Sequence, residues 1–164
     1  MSEPLPLRER IDTALKTAMK ARDDKTRVAT LRLINAAIKD RDIAARGEDR
    51  CDGATEEEIL GILTKMVRQR EESSASFEAG GRPELAEQER AEIEIIRDFM
   101  PRQMDASEVE AAVADVVAEI EATSLKDMGK CMGTLKARHQ GAMDFGQAGK
   151  ILKAKLSGKP ADDQ

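Results

Sequence analysis

The chain of 164 residues has no tryptophan, no tyrosine, three phenylalanines, two cysteines and one histidine. With aromatics at 2 % it lacks the side chains on which β-sandwiches and barrels build their cores, which argues against an all-β fold. Cys51 and Cys131 stand alone, without a CxxC pair or a disulfide framework. One histidine and two scattered cysteines, with no Glu-x-x-His repeat, leave no expected metal site and no expected cofactor. No apolar run is long enough to cross a membrane. The opening MSEPLPLRER has no apolar stretch after a basic start, so a secretory signal is not expected and a cytoplasmic location is.

Charge is abundant, at 36 % of residues, and unevenly placed. The formal net charge is −5, yet residues 8–46 carry net +5, residues 47–125 net −13 and residues 126–159 net +6. The acidic middle resists nonspecific polyanion binding, and the basic C-terminal segment can form a phosphate-binding surface. The plainer alternative is lysine and arginine solvating helix faces.

Alanine, leucine, glutamate, lysine and arginine favour helices, and the apolar positions recur at helical spacing. Leu7, Ile11, Leu15, Ala18 and Met19 predict a helix over 7–21. Asp23 or Asp24 caps a second, with Val28, Leu31, Ile34, Ala37 and Ile38 on its apolar side and its end near Gly47. Residues 47–54 read as a loop, and Thr55 with Glu58 as a capping box for a third helix running to about residue 77 or 78. Gly80-Gly81 end it. Pro83 suits the first turn of a fourth, carried by Leu85, Ala86, Ile93, Ile96 and Phe99 to Met100. Pro101 marks the expected boundary between an N-terminal helical domain, 1–100, and a C-terminal three-helix bundle, 101–158, with 159–164 a disordered tail. In the bundle, Ser107 with Glu110 forms a second capping box. Ser124 with Asp127 opens a helix faced by Leu125, Met128, Met132 and Leu135. Asp144 with Gln147 opens the last. The expected fold is all-α.

Most arrangements that could carry chemistry fail. Gly129-Lys130 is no phosphate loop, because Ser124 and Cys131 stand where a glycine and a serine or threonine are required. Cys131 and His139 are eight residues apart on one predicted helix, about 12 Å at 1.5 Å per residue, so they cannot pair as nucleophile and base. Ser73-Ser74 reads as an exposed polar helix turn, and Glu56-Glu58 and Glu71-Glu72 as solvated charge. Phe77, Phe99 and Phe145 fall on apolar stripes, so core packing is the default over base stacking.

One local anomaly remains. Gly129 and Gly133 lie four apart inside a predicted helix, where each costs about 1 kcal/mol relative to alanine. Close packing against a neighbouring helix explains them, and so does the approach of a nucleic-acid backbone or partner. Lys126, Lys130 and Lys136 flank them, Arg138 and His139 follow, and Lys150 lies on the next helix.

These segments resemble the GatB/YqeY family over nearly the whole chain. The resemblance is carried by Thr30-Leu31-Arg32 with Ala36-Ala37-Ile38-Lys39, by Lys65-Met66-Val67-Arg68-Gln69-Arg70-Glu71-Glu72-Ser73 and by Ala79-Gly80-Gly81-Arg82-Pro83. The linker Phe99-Met100-Pro101-Arg102-Gln103-Met104 and the segment Lys126-Asp127-Met128-Gly129-Lys130-Cys131-Met132 complete it. It implies an all-helical protein whose C-terminal part is similar to the tail domain of the B subunit of tRNA-dependent amidotransferases. Those enzymes are carbon–nitrogen ligases that use glutamine as amide donor, and the tail is held to contact the tRNA. The expected function is therefore a tRNA-binding or accessory module, with Lys126, Lys130, Lys136, Arg138, Lys150 and His139 toward phosphates. Amidotransferase or aminoacyl-tRNA synthetase components are implied partners. No catalytic constellation is visible in the chain, so whether it is itself an enzyme stays open. The alternatives are a protein-interaction module with no RNA role, working through the acidic middle, and amide transfer only within a complex.

Overall fold

A computed structural model describes residues 3–22 and 24–158. Among them are seven α-helices, one short 3-10 turn and no strand. The chain divides into two compact units, Met1–Met100 and Pro101–Gln164. The expected tail at 159–164 and the alternative cap Asp23 lie outside the described residues.

The first unit holds α1 (Leu7–Ala21), α2 (Lys25–Gly47), α3 (Glu56–Ala79) and α4 (Pro83–Arg97). Asp24 opens α2 by accepting from the Arg27 amide at 2.9 Å, as a short acidic N-cap should. Pro83 sits in the first turn of α4, where its missing N–H costs nothing. α3 and α4 form a hairpin, and α2 packs against α1, α3 and α4. Ile11, Leu31, Ile34, Leu63 and Ile96, all fully buried, form the centre of one aliphatic core. Phe99 closes it, with the Arg10 guanidinium 5.8 Å from its ring centroid.

The second unit holds α5 (Ala106–Ile120), a 3-10 turn (Leu125–Asp127), α6 (Met128–His139) and α7 (Phe145–Ser157). Its three α-helices pack pairwise around Val109, Val113, Cys131, Leu135, Ala148 and Leu152. Asp144 opens α7 by accepting from the amides of Gly146 and Gln147.

Several local expectations need correction. α4 stops at Arg97, and Asp98–Met100 leave it as a turn before Pro101. The capping box of α5 is Asp105 with Glu108, both bonds at 2.8 Å, which places Ser107 inside the helix. At α3 half the expected box forms. Thr55 accepts from the Glu58 amide at 3.1 Å, but the Glu58 carboxylate turns away to Arg41 and Arg50, each at 2.7 Å. Two charged partners hold it more strongly than a backbone amide would. Met19, Leu85 and Leu125, assigned to apolar stripes, are exposed because they sit at the stripe edges. Phe77 is half-buried and outside both cores. Ser74 is buried, its hydroxyl 3.5 Å from the Ala86 carbonyl, and is not an exposed turn.

Of the acidic residues read as solvated charge, Glu56, Glu71 and Glu72 are exposed as expected, yet each also has a partner. Glu56 accepts from the Leu7 amide at 2.8 Å and so caps α1, whose own N-cap position is Pro6. Glu71 meets Arg97 at 2.9 Å and Glu72 meets Arg68 at 3.3 Å. Asp42 ties three elements together, accepting from Arg8 at 2.7 and 2.9 Å and from the Ala54 amide at 2.7 Å. Gly53, beside it, has φ +77°, and a Cβ there would lie 2.5 Å from the Asp42 carboxylate, so only glycine fits.

Arg8 and the Ala54 amide lower the Asp42 pKa to about 2, and Arg41 with Arg50 lower that of Glu58 to about 2. Both folded-state values lie below the ordinary 3.8 and 4.5. The stability these groups supply is therefore present above the ordinary carboxylate range and is lost as pH falls toward 2. Asp42→Asn should lower the urea midpoint at pH 7 and flatten its fall across that window. An unchanged pH profile would contradict the assignment.

Candidate nucleic-acid interface

The Asp127 carboxylate accepts from the amides of Thr123 and Ser124, at 3.0 and 3.3 Å, and so shapes the turn into α6. These bonds to the charged form hold its pKa down, with a smaller contribution from nearby Lys130. α6 then presents Cys131 and Leu135 to the bundle core, with Met128 and Met132 at its margin. The 3.6-residue period fixes what remains outside. Gly129, Lys130, Gly133 and Lys136 are exposed on the opposite side, and Lys126 is exposed on the preceding turn.

Among the described residues the two glycines do not serve close packing. A Cβ at Gly129 or Gly133 would meet nothing within 4 Å. Of the two readings of this pair, the packing one fails, and the face stands open. Lys126, Lys130 and Lys136 form no ion pair among the described residues. Lys126 and Lys130 also sit at the N-terminal end of α6, where the helix dipole is already positive. The dipole disfavours cations there, and although Lys130 lies near the Asp127 carboxylate, the two lysines leave positive charge at this end of the helix.

The other expected contacts are arranged differently. Arg138 bonds Glu119 of α5 at 2.6 Å, which raises the arginine pKa and lowers that of the glutamate. Its charge is committed to bracing the bundle, which removes it from the open set. His139 is half-buried at the end of α6, and its carbonyl accepts from the amides of Ala142 and Met143, at 3.0 and 3.2 Å, so its backbone forms the turn into α7. Lys150 is exposed on α7, a separate helix. The structure thus brings Lys126, Lys130 and Lys136 to the glycine face and sets Arg138, His139 and Lys150 apart from it. The position of Lys126 and Lys130 at the start of the helix is readable in the sequence, but Lys136 shares the last turn of α6 with Arg138 and His139, and the Arg138–Glu119 pair that separates them is not readable there.

A turn beside this helix is laced to the start of the unit. The Gln103 side-chain amide donates to the Gly141 carbonyl at 2.7 Å and the Met104 amide to that of Ala142 at 2.8 Å. Cys131 is fully buried, and burial pushes its thiol pKa up, with Asp127 adding to the effect. A thiol so placed is a core side chain. Among the described residues no group of three or more His, Cys, Asp or Glu side chains could hold a metal ion, and no helix is long and apolar enough to cross a membrane.

Comparison with known proteins adds the family. The family profile described as Yqey-like protein matches residues 8–156. The chain belongs to the YqeY-like family. Similar relatives share one name, "Altered inheritance of mitochondria protein 41, mitochondrial". The relative from Lachancea thermotolerans (strain ATCC 56472 / CBS 6340 / NRRL Y-8284) is 34 % identical over 71 % of this chain and 63 % of its own. That from Saccharomyces cerevisiae (strain YJM789) is 32 % identical over 58 % and 49 %. That from Eremothecium gossypii (strain ATCC 10895 / CBS 109.51 / FGSC 9923 / NRRL Y-1056) is 36 % identical over 60 % and 51 %. The YqeY-like chain therefore spans about half to under two-thirds of these relatives' length. Their names place them in mitochondria, which overturns the cytoplasmic expectation. That expectation rested on the lack of a secretory or membrane-crossing segment, a feature common to proteins of every aqueous compartment.

Because both glycines are exposed and uncrowded, Gly129→Ala and Gly133→Ala should each stabilise this YqeY-like protein by about 0.5–1 kcal/mol, the helix-interior cost of glycine. Urea denaturation measures this, and destabilisation by either variant would show that the face is not open. In a maleimide assay exposed Cys51 should label at once and buried Cys131 only on unfolding.

Proposed function

We propose that this YqeY-like protein binds tRNA through the open face of α6 and serves as an accessory module to glutamine-dependent amide transfer on tRNA. The observation that carries the reading is the Gly129/Gly133 face, bare to 4 Å and flanked by the exposed lysines Lys126, Lys130 and Lys136. Absent side chains let a sugar-phosphate backbone come close to the helix, and lysines on flexible stems reach the phosphates on either side. Such a surface reads the shape and backbone of A-form RNA and makes no demand on base edges. The resemblance of the C-terminal part to the tail domain of the amidotransferase B subunit supports tRNA as the RNA. The proposal puts no bond-making step on this chain, since Cys131 is buried and eight residues along the helix from His139.

The acidic middle is the weaker candidate for a binding surface. Glu48, Glu58, Glu71, Glu78, Glu92 and Glu94 are engaged by arginines of the same unit, which consumes charge a partner would need.

Fluorescence anisotropy with labelled tRNA at two salt concentrations tests the proposal. If the three lysines neutralise phosphates, log K should fall with log salt at a slope of about −2 to −3, from roughly −0.7 to −0.9 per contact. Lys126→Glu/Lys130→Glu/Lys136→Glu should abolish the salt-dependent part, whereas Arg138→Gln should lower stability more than affinity. Gly129→Leu/Gly133→Leu should weaken binding while the melting temperature holds or rises. Wild-type affinity indifferent to salt, or full binding by the triple lysine variant, would sink the reading.

A further inference from the structure

α2 carries a second exposed face that the fold leaves without a partner. Lys25, Arg32, Lys39 and Arg46 recur at intervals of seven residues, and all four are exposed. Seven residues fall about 20° short of two helical turns, so the four cations lie along one side of the helix, about 10 Å apart in height. They form no ion pair among the described residues. Arg46 lies near enough to Asp42 to help hold its carboxyl down, but Asp42 bonds Arg8. The remaining arginines of the helix are used internally, Arg27 at Asp98 and Arg41 at Glu48 and Glu58.

Beside the cations runs a second exposed row, Ala29, Leu33, Ala36, Asp40 and Ile43. Its steps of four, three, four and three are those of a coiled-coil seam. Leu33 is 52 % exposed and Ile43 65 %, in a protein that buries most of its large aliphatic side chains. In the seam's frame the four cations share one heptad position, and Arg32 and Lys39 directly precede the seam residues Leu33 and Asp40, a position where helices choose partners by charge. A recess of about 310 Å³ lined by Lys25, Val28, Ala29 and Arg32, with others, opens at the N-terminal end of the row.

We propose that this face of α2 docks an amphipathic helix of another protein, one with carboxylates flanking its apolar stripe. A second copy of the chain does not fit. Paired antiparallel, two such faces would bring their cations together. Paired parallel, the cations would meet Ala37 and Ala44, which offer no carboxylate. A nucleic-acid backbone fits less well too, because Leu33, Ala36 and Ile43 interrupt the cations and Asp40 would face phosphate with like charge. Within the seam Asp40 calls for one basic residue opposite it, a single polar pair of the kind that sets register between helices. This surface is independent of the α6 face and its lysines, so the two proposals fail separately.

The test uses the full chain and a labelled four-heptad peptide with alanine and leucine in its seam, one lysine opposite Asp40 and glutamate at the flanking positions. A matched peptide with lysine for each glutamate is the control, and duplex RNA is a third ligand. The glutamate peptide should bind and the lysine peptide should not. Arg32→Glu/Lys39→Glu/Arg46→Glu should weaken the glutamate peptide by about tenfold or more and should gain the lysine peptide, an exchange that mere surface disruption would not produce. Leu33→Ser/Ile43→Ser should lose the peptide while keeping the helical circular dichroism and the tRNA affinity of the wild type. Failure of the glutamate peptide to bind, indifference to the charge reversal, or loss of duplex RNA in its place would overturn the proposal, the last by assigning the row to nucleic acid.

Discussion

Burial of aliphatic stripes sets the rotation of every helix in this protein, and the rest of the structure follows from those rotations. With three phenylalanines and no larger aromatic, the cores are assembled from leucine, isoleucine, valine and methionine at helical spacing. Fully burying one such side chain contributes about 1.5–3 kcal/mol, more than any exposed ion pair can supply. Once Cys131 and Leu135 face the bundle centre, Gly129 and Gly133 face water. Once Leu31, Ile34 and Ile38 face the first core, Arg32, Leu33 and Ile43 face out. Both candidate surfaces are the reverse sides of packed helices.

The charged residues then divide into two populations. In the first unit arginines and carboxylates join neighbouring elements. Arg70 with Glu92 and Arg90 with Glu78 link α3 to α4, and Asp42 gathers α1, α2 and the loop before α3. Most are part-exposed, and pairs of that kind add little stability each while fixing which helix lies beside which. These pairs offset only part of the middle segment's charge: its net −13 already counts its own arginines, and outside the segment only Arg27, Arg41 and Arg138 reach its carboxylates among the described residues. The second population, on the open sides of α2 and α6, is cationic and without partners among the described residues. In a chain of net charge −5, such rows concentrate positive charge locally, although other lysines and arginines also stand unpaired elsewhere among the described residues.

Glycine placement separates two uses of the same residue. Gly53 is required by backbone and space, with positive φ and the Asp42 carboxylate where a Cβ would stand. Gly129 and Gly133 are required by neither, since a Cβ at either position meets nothing within 4 Å among the described residues. A residue that weakens its helix and relieves no crowding points outward, to whatever approaches the surface.

The sequence by itself determined the all-helical class, nearly every helix boundary, the cap at Asp144 and the family resemblance, and it narrowed the cap of α2 to Asp23 or Asp24. These depend on periodicity and on contacts within about four residues, which a linear reading contains. It misplaced the cap of α5, where Asp105 stands in the order expected of Ser107, and it buried Met19, Leu85 and Leu125, whose stripe-edge positions periodicity alone does not resolve. Only the tertiary structure decided which charges are spent and which glycines are crowded. Arg138 meets a glutamate 19 residues earlier, Arg70 one 22 residues later, and the Leu7 amide a carboxylate 49 residues away. Pairings across such separations follow from how helices pack, so the open face of α6 became visible only after the neighbours of Gly129, Gly133 and Arg138 were in place.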